Sequence, residues 1–184
     1  MCLTCGCEEP GRPRLDVALR DPARPQPDEL VLLATEEALA RAETWIGWDS
    51  GAVLSHGTAW TPHKALRRIA DHLVDHLCQI EARANSELAV TDEWHGRHVT
   101  LDTDWARFTE TDLDEAAARI RRLAQVLGWR IRALEPEWDA DAGREWTIRA
   151  IAEHIAEATA AYASRPRTTR LAARPGSAQP PPQD

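Results

Sequence analysis

The sequence predicts an all-α protein, a four-helix bundle with disordered N- and C-terminal tails. Three observations carry this. Residues 111–134 place Leu113, Ala117, Ile120, Ala124, Leu127, Ile131 and Leu134 at alternating spacings of four and three, the signature of helix-bundle packing. Three further segments carry apolar residues at helical spacing. The two ends, residues 1–27 and 164–184, are rich in proline and charge and show no apolar periodicity.

In chain order, Pro10, Pro13, Pro22, Pro25 and Pro27 exclude a continuous helix from the first segment, which reads as a Cys-containing, flexible lead-in. The bundle is expected over residues 28–163. Its first helix runs from about Asp28, read as an N-cap, to Trp45, with Leu32, Leu39, Ala42 and Ile46 on the core side and Glu36, Glu37 and Arg41 opposite. The second opens at Thr61 with Pro62 in its first turn and continues to about Ala84 over a stripe of Leu66, Ile69, Ala70, Leu73, Leu77 and Ile80. Residues 86–109 are a long connection, a candidate lid or site wall, within which Val99 to Leu101 suit a short extended piece. The third helix is the periodic stretch described above. The fourth, from near Glu145 to Ala163, buries Ile148, Ile151, Ile155 and Tyr162. No sheet is needed to explain the pattern, and residues 164–184 end the chain as a disordered tail.

A chain of 184 residues with 43% hydrophobic content suits one domain with tails. A net charge of −8 argues against a general nucleic-acid surface, which needs clustered Lys and Arg. No run approaches the ~18 apolar residues of a membrane span, and no basic-plus-apolar leader opens the sequence, so a cytoplasmic location is expected. A small-molecule substrate or ligand is the expected partner, with no nucleic acid and no membrane, and a homodimer is an open alternative. Cys2, Cys5 and Cys7 crowd the start while Cys78 stands alone in a helical pattern, which is no disulfide framework; Cys78 reads as a small core residue.

The chemistry concentrates on histidine. His72 and His76 are four apart and therefore stack on one face of the second helix, and His154 lies on the shoulder of the apolar stripe of the fourth. If those two edges face each other, three imidazoles converge as a metal site. Three protein ligands leave one coordination position open, the arrangement of a catalytic or ligand-binding ion rather than a closed structural one. Asp71, Asp75, Glu153 and Glu157 are either acceptors that orient these rings or solvated charges balancing Arg67, Arg68 and Arg149. Histidines at the rim of a bundle also serve as hydrogen-bonded boundary residues with no metal at all.

With these helices placed, Trp60, Thr61 and the run Ile69-Ala-Asp-His-Leu73, together with the later run from Trp146 and Thr147 through His154, resemble the DinB/YfiT-like superfamily of metal-dependent four-helix bundles. The resemblance spans roughly residues 28–163. It implies a three-histidine divalent-metal site, zinc or nickel before others, a low-molecular-weight thiol as co-substrate, and activity as a thiol-dependent transferase or isomerase. Two departures stand out. Trp60 lies farther from His72 than is usual, and the family's last histidine is replaced by Ala158, so His76 would have to supply the third nitrogen. The alternative is a non-catalytic bundle that has lost its metal and serves as a binding or interaction module, with Trp48, Trp60, Trp94 and Trp105 covering a ligand or partner, or simply sealing the ends of the core.

The opening Met-Cys-Leu-Thr-Cys-Gly-Cys is a second chemical signal. Cys2, Cys5 and Cys7 could wrap one soft ion, with Gly6 permitting the tight turn. The run resembles the start of the hydrogenase accessory GTPases, which implies nickel binding, but no phosphate-binding loop accompanies it. A redox-sensitive thiol tail is the alternative. His95 and His98 read as a polar loop, His56 and His63 lie near a loop or helix start, and no serine sits in a nucleophile elbow.

Overall fold

The computed structural model describes residues 25–166, apart from residues 50, 56, 57, 91, 141, 142 and 144 and the side chains of residues 53–55 and 95. The expectations for Cys2, Cys5 and Cys7, for the tail up to residue 24 and for residues 167–184 lie outside the described residues. So does that for the side chain of His95.

The element order is α1 (Pro27–Glu43), β1 (Val53–Ser55), β2 (Thr58–Trp60), α2 (Pro62–Ala84), α3 (Glu110–Ala133) and α4 (Ile148–Ser164), with single 3-10 turns at His95–Arg97, Asp102–Trp105 and Glu135–Glu137. Each long helix has a chemical reason to start where it does. At α2 and α4 the hydroxyls of Thr61 and Thr147 accept from the backbone N–H groups of Lys64 and Ala150, at 3.2 and 3.1 Å. At α3 Thr109 and Asp112 form a reciprocal capping box, with Thr109 N–H donating to Asp112 Oδ2 at 2.9 Å and Asp112 N–H to Thr109 Oγ1 at 3.3 Å.

At α1 the expected cap is corrected. Pro27, whose missing N–H costs nothing in a first turn, already opens the helix behind Gln26. Asp28 is instead buried and accepts from Nε and Nη2 of Arg132, at 2.8 and 2.5 Å, which fastens α1 to the end of α3.

α1 packs on α3 and α4, and α2 packs on the same two helices, so α1 and α2 lie on a diagonal of the bundle. The core between them contains Val31, Leu39, Leu66, Ile69, Leu73, Ile120, Leu127, Ile131, Ile151 and Ile155. The stripe of α3 is as expected, with Ala117, Ile120, Ala124, Leu127 and Ile131 buried. The stripe of α1 is rotated from the expected one: Val31, Thr35, Ala38, Leu39 and Ala42 face inward, Leu32 is half-buried and Ile46 is 41% exposed beyond the end of the helix. Cys78 is exposed, on the outward side of α2 that it shares with the exposed Val74 one turn earlier, and is no core residue.

A short element that the sequence pattern did not require appears between α1 and α2. β1 and β2 form an antiparallel hairpin with Val53 opposite Trp60 and Ser55 opposite Thr58. Val99 to Leu101 form no strand among the described residues. They belong to a strap, residues 86–109, that two cations of α2 hold down. Lys64 is fully buried and its Nζ donates to Ala59 O, His98 O and Thr100 Oγ1 at 3.2, 3.0 and 3.0 Å, joining hairpin, helix and strap. Arg67 donates to both carboxylate oxygens of Asp104 and to the carbonyls of Gly96 and Val99.

The far end of α4 is likewise ordered beyond the expected boundary. The helix includes Ser164, Arg165 lies 4.1 Å from the centroid of the Trp60 ring, and Trp60 stacks on Tyr162 at 5.6 Å. Trp48 and Trp60 are buried at 5% exposure and seal the core, while Trp94 and Trp105 remain 40% exposed. No helix among the described residues is long and apolar enough to cross a membrane.

Candidate metal centre

Because α2 and α4 are neighbours, the edge of α2 that carries His72 and His76 meets the edge of α4 that carries His154. The three side chains converge: one nitrogen from each can be chosen so that all lie within 4.8 Å of one another. Ring centroids are 4.4 Å apart for His72 and His76, 4.9 Å for His72 and His154, and 5.2 Å for His76 and His154, all in edge-to-face arrangements. These are the three residues singled out from the sequence, and the structure brings them together where the edges of α2 and α4 meet.

The protonation chemistry suits ligation. Burial, reinforced by His76, His154, Arg68 and Arg97, pushes His72 down to about 3. Burial also lowers His76, against an opposing hydrogen bond from Gln79. Both rings are therefore neutral near pH 7, with a lone pair on one nitrogen each.

Gln79 decides which nitrogen that is in His76. Its amide oxygen lies 2.8 Å from His76 Nδ1 and can only accept, so Nδ1 carries the proton and Nε2 the lone pair. Nε2 of His76 and Nε2 of His72 are both shielded from solvent and without a hydrogen-bond partner among the described residues. Buried polar atoms are nearly always satisfied, and two buried ring nitrogens without a partner in one cluster are what a cation would complete. A tetrahedral ion with ~2.0–2.1 Å bonds needs nitrogens roughly 3.3 Å apart. Three imidazoles whose nitrogens already lie within 4.8 Å of one another are a donor set that fits such an ion.

The histidines open onto a cleft of about 460 Å³ whose other walls are Asp75, Gln79, Arg97, Glu145 and Trp146. Trp146 packs edge-to-face on His154 at 4.7 Å and is held by Arg83, whose Nη1 donates to the Trp146 carbonyl at 2.9 Å. It immediately precedes the Thr147 cap of α4, so the start of that helix fixes this wall.

Arg97 comes from the strap, which makes that segment a site wall as the sequence suggested. Its guanidinium pairs with Asp75 and, at 3.0 Å, with Asp92. Two of the four carboxylates read as orienting acceptors or as balancing charges pair with arginine: Asp71 accepts from Arg68 at 2.8 Å and Asp75 from Arg97. Burial raises Asp75 above the ordinary carboxylate value, partly offset by Arg97. Glu157 is exposed.

Of the remaining histidines, His98 is exposed and contributes its carbonyl to Lys64, and His63 lies 3.6 Å from Asp112 at the junction of α2 and α3. Neither joins the cluster. Gln79, Arg97 and the role of Trp146 as a wall were not read from the sequence. Gln79 had a signal, since it is three residues after His76 and on the same helical face; Arg97 had none, because only the path of the strap brings it there. Comparison of the chain with protein-family models, curated proteins and solved structures found no match.

Proposed function

We propose that this protein binds a divalent metal ion through His72, His76 and His154 and presents it to a small molecule in the adjoining cleft. The observation that carries the reading is the convergence of three imidazoles across the α2–α4 junction, two of which, His72 and His76, have a buried Nε2 without a partner among the described residues. Three imidazole nitrogens suit zinc or nickel, and such an ion would supply Lewis acidity at an open coordination position.

The resemblance to DinB-like bundles extends the reading to thiol-dependent transfer or isomerisation. The protein's own residues would then divide the work: the histidines hold the ion, Gln79 keeps His76 in the ligating tautomer, and Arg97 and Trp146 bound the space for the substrate. The competing reading is a non-catalytic binding module, favoured by Ala158 at the position where those bundles carry a further histidine.

The test is elemental analysis of the untagged full-length chain with Cys2, Cys5 and Cys7 changed to Ser, as purified and after reconstitution with zinc or nickel. One ion per chain, lost in His72→Ala and His154→Ala, is the expected result. A folded protein that takes up no metal under any reconstitution leaves the binding-module reading in its place.

A further inference from the structure

Three histidines leave one position of a tetrahedral ion open, and the same chain carries three thiols, Cys2, Cys5 and Cys7, that the cleft does not use. Three contacts fix where their segment joins the bundle. Asp28 at the start of α1 accepts from Arg132 at the end of α3; Arg130, in the same last turn of α3, donates to Glu81 in the last turn of α2; and Arg83, also in that turn of α2, donates to the carbonyl of Trp146 just before α4. α1 therefore starts at the end of the bundle where α4 starts, and these two helices pack on each other. Trp146 is a wall of the histidine cleft. The chain thus enters the bundle beside the mouth of the site.

The distances are short. His76 lies ~12 Å before the end of α2 at 1.5 Å per residue, and neighbouring helix axes are ~8–10 Å apart. The segment between Cys7 and Pro25, about 18 residues whose prolines exclude one shortening helix, spans at most ~60 Å. A donor tied this close acts at an effective concentration on the order of millimolar. The histidine nitrogens are already gathered within 4.8 Å by packed helices, whereas three thiols on their own must first order their backbone around the ion. That difference favours the histidines as three ligands and a single thiolate as the fourth.

We infer that a thiolate from Cys2, Cys5 or Cys7 closes the open position, making a three-histidine, one-cysteine centre within one chain. This rests on the metal-binding reading and adds the fourth ligand of the same site. On ligation the thiol gives its proton to solvent and the water at the open position leaves, so the step needs no oxidant or reductant. An incoming small molecule must then displace the thiolate, and the chain carries its own competitor for the position.

The experiment adds cobalt(II) to the full-length chain under reducing conditions. A thiolate-to-cobalt charge-transfer band reports sulfur, and the visible bands report four-coordination. Three chains are compared: the unaltered one, one with Cys2, Cys5 and Cys7 changed to Ser, and His154→Ala with the cysteines kept. The unaltered chain is expected to show both features, with a plateau at one equivalent that does not change on dilution. The serine chain is expected to keep cobalt and lose the charge-transfer band, and His154→Ala to alter the spectrum of the first equivalent. Should His154→Ala fail to fold, His76→Ala takes its place. No charge-transfer band in the unaltered chain, a spectrum untouched by the histidine variant, a band that fades on dilution, or a plateau only at two equivalents overturns the inference and leaves the metal site standing. A folded serine chain that takes up no cobalt at any concentration removes the metal reading itself, an outcome kept distinct because that chain has no tail thiols.

Discussion

His76 and Gln79 are joined by a 2.8 Å hydrogen bond along one face of α2, and with the Gln79 oxygen accepting it the free lone pair of His76 lies on Nε2. Removing it should free the ring to adopt the other tautomer and to rotate. For Gln79→Leu, which keeps the bulk of the side chain, metal affinity is expected to fall by ~10–100-fold with the helical circular dichroism unchanged. Competition against a chromophoric chelator measures it, and an affinity equal to wild type would show that the bond does not orient the ring.

The metal-free protein should lose stability in acid through His72. Its ordinary value of 6.5 applies to the unfolded chain, whereas the folded ring stays neutral down to about 3. Between those values the unfolded state binds more protons, so stability is full above pH 6.5 and declines as pH falls through this window. The loss is on the order of a few kcal/mol, since a tenfold change in proton affinity is worth about 1.4 kcal/mol. Urea midpoints of chelator-treated protein at pH 7 and pH 4 should therefore separate more for wild type than for His72→Leu. Equal separations would remove His72 from the account.

Lys64 should behave as a structural clamp. Burial, helped by Arg67, lowers it to about 8, and its ammonium still satisfies two carbonyls and a hydroxyl from two other segments. Lys64→Met is expected to cost ~1–3 kcal/mol through the buried acceptors left behind. Hydrogen exchange should quicken in residues 95–101 before it quickens in α3. An unchanged exchange pattern would mean that Arg67 alone holds the strap.

The rotated stripe of α1 makes a paired prediction. Ile120→Ala, at a site with 1% exposure, should destabilise by ~2–5 kcal/mol, whereas Ile46→Ala, at 41% exposure, should stay within ~0.5 kcal/mol. Thermal denaturation of the two variants checks the assignment, and a large effect at Ile46 would return it to the core.

How much of this was legible in the sequence depended on the range of each interaction. The helices and the histidine triad could be read because a 3.6-residue period places His72, His76 and Ile69 on one edge without reference to the rest of the chain. Asp28 could not, because its carboxylate is claimed by Arg132, 104 residues away, while Pro27 had already opened the helix. The hairpin escaped because strands of three residues are too short to show alternation. Ile46 and Cys78 were misplaced because a helical projection says which residues share a face but not where the helix stops or which neighbours cover it. Arg97 reached the cleft through the path of the strap, which Lys64 and Arg67 of α2 hold down.

The stack of Arg165 on Trp60 and of Trp60 on Tyr162 sets where the chain can be cut. A fragment ending at residue 163, where apolar periodicity stops, would uncover one face of an indole that is otherwise 5% exposed. It would also remove Pro166, which is buried. The tip of such a fragment would be sticky, prone to associate with other copies through the bared ring. A minimal expressible version of this bundle therefore has its boundary at Pro166 or beyond.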